Sequence, residues 1–523
     1  MDLDALKEMA PANSSLHHYV DMLRTLSAWD EHMFTSFDDI PPHFARGTSR
    51  RMRKHLARLT YYKVVRAVNT RDIRVVTNFF TVDKKDLTLR LVVDGRKVNV
   101  LMKPPPNMEL PEIHAVIDYL MENEYACTCD GKSYFYQVPI SDEVGTMFCT
   151  NLAGTRGNFV PVAMTKMPMG WSYAPAIAQK ISQTLLTTED GRVLGMAWID
   201  NFIFAGRTQA EVSANFEEFL SRCRRANVKL DTDSPPITTT LAVLGMEVDL
   251  EKKSYRLNEE WVAKRKFQPS STMTPREVYE ITGSCIWHDH VKKIPLCHQE
   301  RNIEVIRRVA SRMAVEPAWD TPIAMAPGEV DSLTEWVKAL RANVPKHWIP
   351  REAPILDLWS DAADEQWASL LLEDDILIAA DQGVFTGAPR DWHIFVKEAY
   401  AADKVLQATK GISRRIGIDN LPLVQCMRRG FSANRLVNAF IRTWDLDNIQ
   451  PIWIPTTKQL ADAFTRGVKL PNWVPNLDSY AAKPTAPRGL STHAQTQTEN
   501  NLITLWDLQD LLPSKERTTN HSV

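Results

Sequence analysis

The sequence has little net charge, few cysteines and no long apolar run. With 62 Lys and Arg against 64 Asp and Glu, the formal net charge is -2, so any affinity for nucleic acid must come from local clusters. Seven irregularly spaced cysteines and no secretory leader predict an intracellular location, cytoplasm or nucleus. No apolar run approaches the roughly 18 residues that span a bilayer, so no membrane partner is expected.

The remaining composition is that of a globular protein with several domains. Of the 523 residues, 44% are apolar and 24% charged, which argues against global disorder. Residues 1–74 are predicted to be an N-terminal extension that ends in a basic segment. From Arg46 to Arg74 that segment carries ten Lys or Arg and a single acid, Asp72. It can neutralise backbone phosphates, or it can be a solvated helix face.

The stretch from Gly195 to Gly206 predicts two buried strands joined by a tight turn. Apolar residues run up to Asp200-Asn201 and resume at Phe202, so the turn would carry a carboxylate at its tip. Such a hairpin can hold a metal ion, although an ordinary Asp-Asn turn has the same sequence. Its neighbours decide between these interpretations.

Four further features accompany this hairpin in a fixed order. A predicted β-hairpin at residues 79–99 presents Lys84, Lys85 and Arg90, and cations so placed can clamp a polyphosphate. A strand from residue 126 ends on Asp130, and a Gly-containing loop at 167–179 leads into a helix. A short strand at residues 243–248, which contains Leu-Gly, comes last.

In this order, the five features resemble the fingers and palm of a reverse transcriptase, over residues 75–250. The resemblance implies two divalent ions, Mg²⁺ or possibly Mn²⁺, held between palm carboxylates that match Asp130 and Asp200. Asn201 departs from the family pattern, which usually has a second Asp there. An amide supplies a neutral oxygen, so metal affinity is expected to fall.

The same resemblance implies substrate-binding residues. Arg90, with Lys84 and Lys85, matches the cations that grip the incoming triphosphate. Phe135 falls where the family has an aromatic gate against the ribonucleotide 2′-hydroxyl, and its neighbours Tyr134 and Tyr136 are expected in the core. The remaining matches are Met169-Gly170 in the loop under the nascent base pair and Lys229 at a later basic position of the palm.

Residues 251–348 read as helices and resemble a thumb and connection. Helical stretches are predicted at 275–283, 303–314 and 330–340. Five potential zinc ligands fall in this region: Cys285, His288, His290, Cys297 and His298. Their spacing fits no zinc finger or knuckle.

A second set of carboxylates lies in residues 349–470. Asp361, Glu398, Asp419 and Asp462 follow predicted strands or begin helices, and four such groups can converge on two ions in a small α/β fold. Their identity and order resemble the Asp-Glu-Asp-Asp set of ribonuclease H. The helices between them carry Arg428, Arg429 and Arg442, cations suited to an RNA/DNA hybrid.

Residues 471–523 are predicted to be a largely disordered tail. Its Pro-, Thr- and Gln-rich part precedes an apolar cluster at 502–512 that could dock on the body or on a partner. The stretch 453–467 resembles the ribonuclease H of DIRS-like retroelements, and the trypanosomatid VIPER-type elements are the subgroup that we expect. No aspartic protease, zinc knuckle or integrase is apparent.

The resemblance implies an α+β multidomain chain, with a right-hand polymerase of fingers, palm and thumb followed by a ribonuclease H-like α/β domain. It implies an RNA-directed DNA polymerase with ribonuclease H activity, whose partners are an RNA template, a DNA primer, RNA/DNA hybrid, dNTPs and possibly other retroelement proteins. Two alternatives remain: a decayed or domesticated product with nuclease activity only, and a non-catalytic nucleic-acid-binding protein.

Overall fold

The computed structural model describes residues 1–34, 50–83, 89–106, 108–153, 159–316, 318–350, 354, 356–374, 376–466 and 477. Lys84 and Lys85, the start of the basic segment and nearly all of the predicted tail lie outside these residues. The described residues form two compact units, one ending at Leu244 and the other beginning at Gly245. No helix within the described residues is long and apolar enough to cross a membrane.

The first unit mixes helices with short sheets. Its helices are α1 (Leu3–Met9), α2 (Ser15–Arg24), α3 (Arg50–Tyr61), α4 (Arg96–Asn99), α5 (Ile113–Met121), α6 (Asp142–Gly145), α7 (Ala174–Leu186) and α8 (Gln209–Arg225). Its strands are β1 (Val65–Ala67), β2 (Asn78–Asp83), β3 (Leu89–Asp94), β4 (Tyr125–Asp130), β5 (Cys149–Ala153), β6 (Phe159–Met164), β7 (Met196–Trp198), β8 (Asn201–Gly206) and β9 (Thr240–Val243). Strands β2 and β3 form the predicted hairpin, and β1, β6 and β5 form a separate sheet in that order.

The sheet that matters for function has the strand order β4, β8, β7, and all neighbours are antiparallel. Strand β8 is central and almost wholly buried, which is why its sequence is a continuous apolar run rather than an alternating one. Its Phe202 and Phe204 pack on Phe219 of α8, with ring centroids 4.6 and 5.1 Å apart. This aromatic layer gives the carboxylate-bearing hairpin a rigid base.

The N-terminal helices belong to the same core. Leu6 and Leu16 are fully buried, and Trp29 stacks on Trp171 at 4.8 Å between ring centroids. The Trp29 indole N–H donates to the carbonyl of Met22 at 2.7 Å, which satisfies its polar edge. The extension predicted from apolar spacing is therefore packed against the rest of the unit.

The second unit begins with a small sheet and a set of helices. In chain order these are β10 (Met246–Asp249), β11 (Ser254–Leu257), α9 (Glu259–Ala263), β12 (Thr272–Met273), α10 (Pro275–Val291), α11 (Glu300–Val315), β13 (Ile323–Ala324), α12 (Pro327–Ala342) and β14 (Lys346–His347). The three predicted helices are present and longer than predicted. Thr274 and Glu277 form a reciprocal capping box at the start of α10.

A five-stranded sheet with helices completes the second unit. Its elements are β15 (Leu356–Ala362), β16 (Gln366–Glu373), β17 (Ile376–Val384), α13 (Ile394–Ala408), β18 (Arg414–Ile418), α14 (Leu421–Arg429), α15 (Arg435–Ile441), β19 (Ile449–Trp453) and α16 (Asp462–Thr465). The strand order is β17, β16, β15, β18, β19. The first three strands are antiparallel, whereas β18 runs parallel to both β15 and β19. This is the ribonuclease H-like α/β arrangement that was expected.

Strand β17 was not predicted. It is the edge strand, and nearly all its side chains are exposed, so its sequence lacks the alternation of a half-buried strand. Strand β15, by contrast, is central and buried along most of its length, and it ends beside the expected Asp361. Burial on both faces explains why β15 is readable from its apolar run.

Candidate active sites

The β7–β8 hairpin turns at Ile199 and Asp200. The sequence had suggested that Asn201 is part of the turn. The register instead pairs Trp198 with Asn201, so Asn201 is the first residue of β8. Ile199 has φ +57°, a left-handed conformation that is strained for a β-branched residue. Two-residue hairpin turns of the favoured types need positive φ, which explains the strain.

Helix α7 holds this strained turn in place. The Gln179 side chain accepts a hydrogen bond from the Ile199 N–H at 2.7 Å and donates to the carbonyl of Ala197 at 3.0 Å. The Ser182 hydroxyl donates to the carbonyl of Ile199. Sequence reasoning missed Gln179 and Ser182. The sequence signal that could have found them is that they are polar residues on the buried face of α7.

Asp130 and Asp200 lie on facing parts of β4 and the hairpin. Asp130 is paired in register with Asn201, and the Gly131 N–H donates to the carbonyl of Asp200 at 2.7 Å. Asp130 remains exposed, but the partial loss of its hydration, followed by the charges of Asp231 and Asp200, raises its pKa. Burial also raises the pKa of Asp200. The two predicted carboxylates are therefore brought to one site where negative charge accumulates.

The residues predicted to contact substrate surround this site. Arg90 is exposed on β3, and its positive charge partly opposes the rise in the pKa of Asp200. Phe135 is half-buried on the 3₁₀ helix Tyr134–Gln137. Tyr134 is buried and its hydroxyl is bonded to the Ser182 hydroxyl at 2.8 Å, while the Tyr136 hydroxyl donates to the carbonyl of Leu91 at 2.7 Å. Both tyrosines are tied into the fold, as expected.

The Met169-Gly170 loop is fixed to β3, the strand that carries Arg90. The carbonyl of Met169 accepts a hydrogen bond from the Val93 N–H at 3.1 Å. Gly170 has φ +113°, and a Cβ there would lie 2.0 Å from the Val93 carbonyl oxygen. Only glycine allows this close approach. The exposed Lys229 lies on the other side of the palm residues, where its N–H donates to the Gln137 side chain at 2.7 Å.

A carboxylate triad lies in the five-stranded sheet. Asp361 is near the end of β15, Asp419 directly follows β18, and Glu398 projects from α13. Because β15 and β18 are parallel neighbours, their carboxyl ends meet at one edge of the sheet. One ligand atom from each residue lies within 4.8 Å of those of the other two, a spacing that could hold a metal ion.

The electrostatics of the triad fit a divalent cation. Burial, followed by the charges of Asp361 and Asp419, raises the pKa of Glu398 to about 9. Burial likewise raises the pKa of Asp361 to about 6, although the Thr465 hydroxyl donates to its Oδ2 at 2.7 Å. Glu398 Oε2 is buried without a hydrogen-bond partner among the described residues. An all-oxygen site of this kind suits Mg²⁺ or Mn²⁺.

Asp462 is not part of the triad. It begins the single-turn helix α16, and its Oδ1 lies 2.6 Å from Nε of Arg466, four residues along. Its negative charge still contributes to raising the pKa of Asp361. The structure therefore gathers three of the four predicted carboxylates within reach of one ion, and pairs the fourth with an arginine nearby.

Two other groups of predicted residues are the arginines expected to bind an RNA/DNA hybrid and the cysteines and histidines considered as zinc ligands. Arg428 and Arg429 are exposed, but the Arg442 guanidinium donates to the carbonyl of Cys297 at 2.9 and 3.1 Å and to Glu300 at 2.6 Å. His288 is paired with Asp289 at 2.8 Å. Within the described residues, the cysteines and histidines of 285–298 do not form a group of side chains that could hold a metal ion.

The comparisons with known proteins bear on the segment that contains the first site. The profile of the reverse transcriptase (RNA-dependent DNA polymerase) family matches residues 82–248, the segment that carries Asp130, Asp200 and Arg90. The chain contains a reverse transcriptase domain. It is also 26% identical over 141 residues to the retrovirus-related Pol polyprotein from transposon 412 of Drosophila melanogaster, a match that covers 27% of this chain and 11% of that protein.

Solved structures similar to the chain include foamy viral protease-reverse transcriptases. One, in complex with double-stranded DNA, has a TM-score of 0.49 and 18% identity over 87% of this chain and 81% of its own. Another, in complex with RNA/DNA hybrid, has a TM-score of 0.48 and 18% identity over 90% and 64%.

Proposed function

We propose that the chain is an RNA-directed DNA polymerase whose palm site is built on Asp130 and Asp200. The observation that carries this proposal is the position of Asp130 at the end of β4 and of Asp200 in the hairpin turn beside it, within the segment that matches the reverse transcriptase family and with Arg90 exposed nearby. Magnesium, when bound, activates the primer 3′-hydroxyl and neutralises the triphosphate. Asp130 and Asp200 hold the ion, and Arg90, with Lys84 and Lys85, orients the dNTP.

The neighbouring residues position the other substrates in this proposal. Phe135 lies where it selects against a 2′-hydroxyl, and the Met169-Gly170 loop supports the nascent base pair. The RNA template and DNA primer follow the helices α10 to α12. The element of origin would be a DIRS-like retrotransposon, possibly VIPER-type, with an intracellular site of action and other retroelement proteins as partners.

A second activity, ribonuclease H cleavage of the hybrid, is supported by a different observation. Asp361, Glu398 and Asp419 converge, and the buried Glu398 Oε2, which has no hydrogen-bond partner among the described residues, would be free to bind a divalent cation. Magnesium held there supplies an activated water for phosphodiester hydrolysis. Asp462 is the fourth carboxylate in this scheme, and it would have to leave its ion pair with Arg466 to contact the metal.

Nucleotide incorporation tests the polymerase. A primed poly(rA) template with dTTP and Mg²⁺ or Mn²⁺ should be extended by the wild type and not by Asp200→Ala. A matched control is Asp233→Asn, an exposed acid that has no place in the proposed site. An inert wild type that still cuts a hybrid would replace this proposal with the nuclease-only alternative.

Cleavage of a labelled RNA/DNA hybrid tests the nuclease. Asp419→Asn should abolish Mg²⁺-dependent cleavage while nucleotide incorporation continues. The control is Glu373→Gln, an exposed acid on the same sheet. If neither activity is found but both nucleic acids bind, the chain is the non-catalytic binding protein.

A further inference from the structure

An acidic residue, Asp231, lies along the outer edge of β4. It is hydrogen-bonded to both the backbone N–H and the backbone carbonyl of Asp130. The Asp231 N–H donates to the carbonyl of Asp130 at 2.8 Å, and Asp231 Oδ1 accepts a hydrogen bond from the Asp130 N–H at 2.9 Å. A β-bridge between Gly131 and Leu230 extends the same contact. The backbone that carries Asp130 is therefore clamped from this edge.

The opposite edge of β4 faces the hairpin. There the Gly131 N–H donates to the carbonyl of Asp200, and Asn201 is the register partner of Asp130. Asp130 thus lies between the Asp200-Asn201 pair on one edge and Asp231 on the other. Position 201 contributes no charge, so Asp231 is the second acid that flanks Asp130 in the described structure.

The charge of Asp231 acts on Asp130 directly. Asp231 Oδ1 lies 2.9 Å from the Asp130 backbone nitrogen, so the negative charge of Asp231 is held beside Asp130. A negative charge beside an ionised carboxylate repels that carboxylate, and it also attracts a cation to the carboxylate. Two divalent ions carry four positive charges, which two carboxylates alone leave half neutralised.

We propose that Asp231 is a positioning residue of the palm site, which holds Asp130 in place and strengthens divalent-cation binding there, so that it offsets the amide at position 201. This inference rests on the proposed polymerase function. It assigns Asp231 no direct bond to the metal, because its Oδ1 is already used by the Asp130 N–H.

The two parts of this role can be separated by substitution. Asp231→Asn keeps an oxygen that accepts from the Asp130 N–H but removes the charge, whereas Asp231→Ala removes both. A unit charge a few ångströms away at a partly solvated site changes cation affinity by about tenfold. Asn201→Asp adds a carboxylate at the register partner of Asp130, so it should restore what Asp231→Asn loses.

The test is an electron paramagnetic resonance titration of the full chain with Mn²⁺. The parent protein for this test carries Asp419→Asn, which weakens Mn²⁺ binding at the competing triad, and every variant is made in that parent. Asp231→Asn should bind Mn²⁺ about tenfold more weakly than its parent, Asp231→Ala more weakly still, and the Asp231→Asn, Asn201→Asp double variant like the parent. Asp233→Asn, two residues along and exposed, should match the parent. The Mg²⁺ dependence of dTTP incorporation should shift in the same order.

The outcomes separate this inference from the function on which it rests. If the parent extends a primer and Asp231→Asn leaves both Mn²⁺ affinity and Mg²⁺ dependence unchanged, the role of Asp231 is overturned and the polymerase stands. If the parent is inert and Asp200→Ala does not weaken Mn²⁺ binding, the polymerase proposal fails instead. A thermal melt of each variant excludes unfolding, and rescue by Asn201→Asp without a change in melting temperature identifies the effect as one of charge.

Discussion

The two carboxylate sites of this chain differ in how much they depend on an ion. In the triad, Glu398 is only 5% exposed, has a pKa near 9 and leaves one oxygen without a partner. In the palm, Asp130 is exposed and Asp200 is half-buried, and backbone hydrogen bonds and Arg90 organise them. The triad is a closed cluster that an ion completes, whereas the palm is an open platform.

This difference has a physical consequence. A buried cluster of like charges is unfavourable without a cation, so binding at the triad is linked to protonation and to stability. An open platform has a lower electrostatic cost when empty and, under the proposed polymerase function, would gain the rest of its metal ligands from the triphosphate. Four predictions test the contrast, from the largest expected effect to the smallest.

The largest effect is a reciprocal loss of the two activities. Asp361→Asn should reduce hybrid cleavage by roughly a thousandfold, and Asp130→Asn should do the same to nucleotide incorporation, because each removes a charge that holds the ion. Each variant should keep the activity of the other site. Both activities are measured on the same preparations, and loss of both in either variant would show that the sites are not independent.

The next effect is a steep pH dependence at the triad. Because the pKa of Glu398 is near 9 and that of Asp361 near 6, an ion must displace a proton from Glu398 across neutral pH. Mn²⁺ affinity at the triad should therefore rise roughly tenfold per pH unit between about pH 6 and 9. Calorimetric titrations in the Asp200→Ala background measure it, and a flat profile would contradict the buried charge cluster.

A smaller effect concerns stability without metal. The folded pKa of Glu398 is raised, so the folded state holds a proton that the unfolded state releases, and stability falls as pH rises from about 4.5 to 9. Glu398→Gln should remove this fall and stabilise the second unit by about 2 kcal/mol at pH 8 in EDTA. Thermal melts at pH 5 and pH 8 check this. Glu373→Gln, on an exposed position, should change neither melt.

The smallest effect is at the hairpin turn. Gln179→Ala removes the two bonds that hold Ile199 and Ala197, which should destabilise the first unit by about 1–2 kcal/mol and lower incorporation about tenfold. Gln183→Ala, on the same helix, is the control. The Gln183 side chain donates to the Glu109 carbonyl, as that of Gln179 also does, but among the described residues it makes no hydrogen bond with the turn. Equal loss in both variants would assign the effect to α7 rather than to the turn.

Much of this architecture could be predicted from apolar pattern and chain order. Strands β8 and β15 are buried apolar runs next to carboxylates, because Asp200 directly precedes β8 and Asp361 lies near the end of β15. Parallel pairing of β15 with β18 follows from the intervening helix, and it brings Asp361 and Asp419 together. Local periodicity was sufficient in these places because burial is what creates it.

Other features depend on register and on distant partners. Nothing local shows that the turn lies at Ile199-Asp200 rather than one residue later, since register is fixed by pairing with β7. The clamp by Gln179 and the contact of Asp231 with Asp130 across 101 residues are likewise tertiary. Strand β17 was missed because an exposed edge strand has no buried face to give it a pattern.

The Arg442 contacts bear on how the part of the chain that contains the five-stranded sheet can be isolated. Its guanidinium donates three hydrogen bonds to Cys297 and Glu300, which belong to the helical segment before residue 349. A fragment that starts at 349 would leave this arginine without those acceptors and expose the surface they cover. Expression boundaries drawn upstream of β10, near Gly245, keep both halves of that contact in one polypeptide.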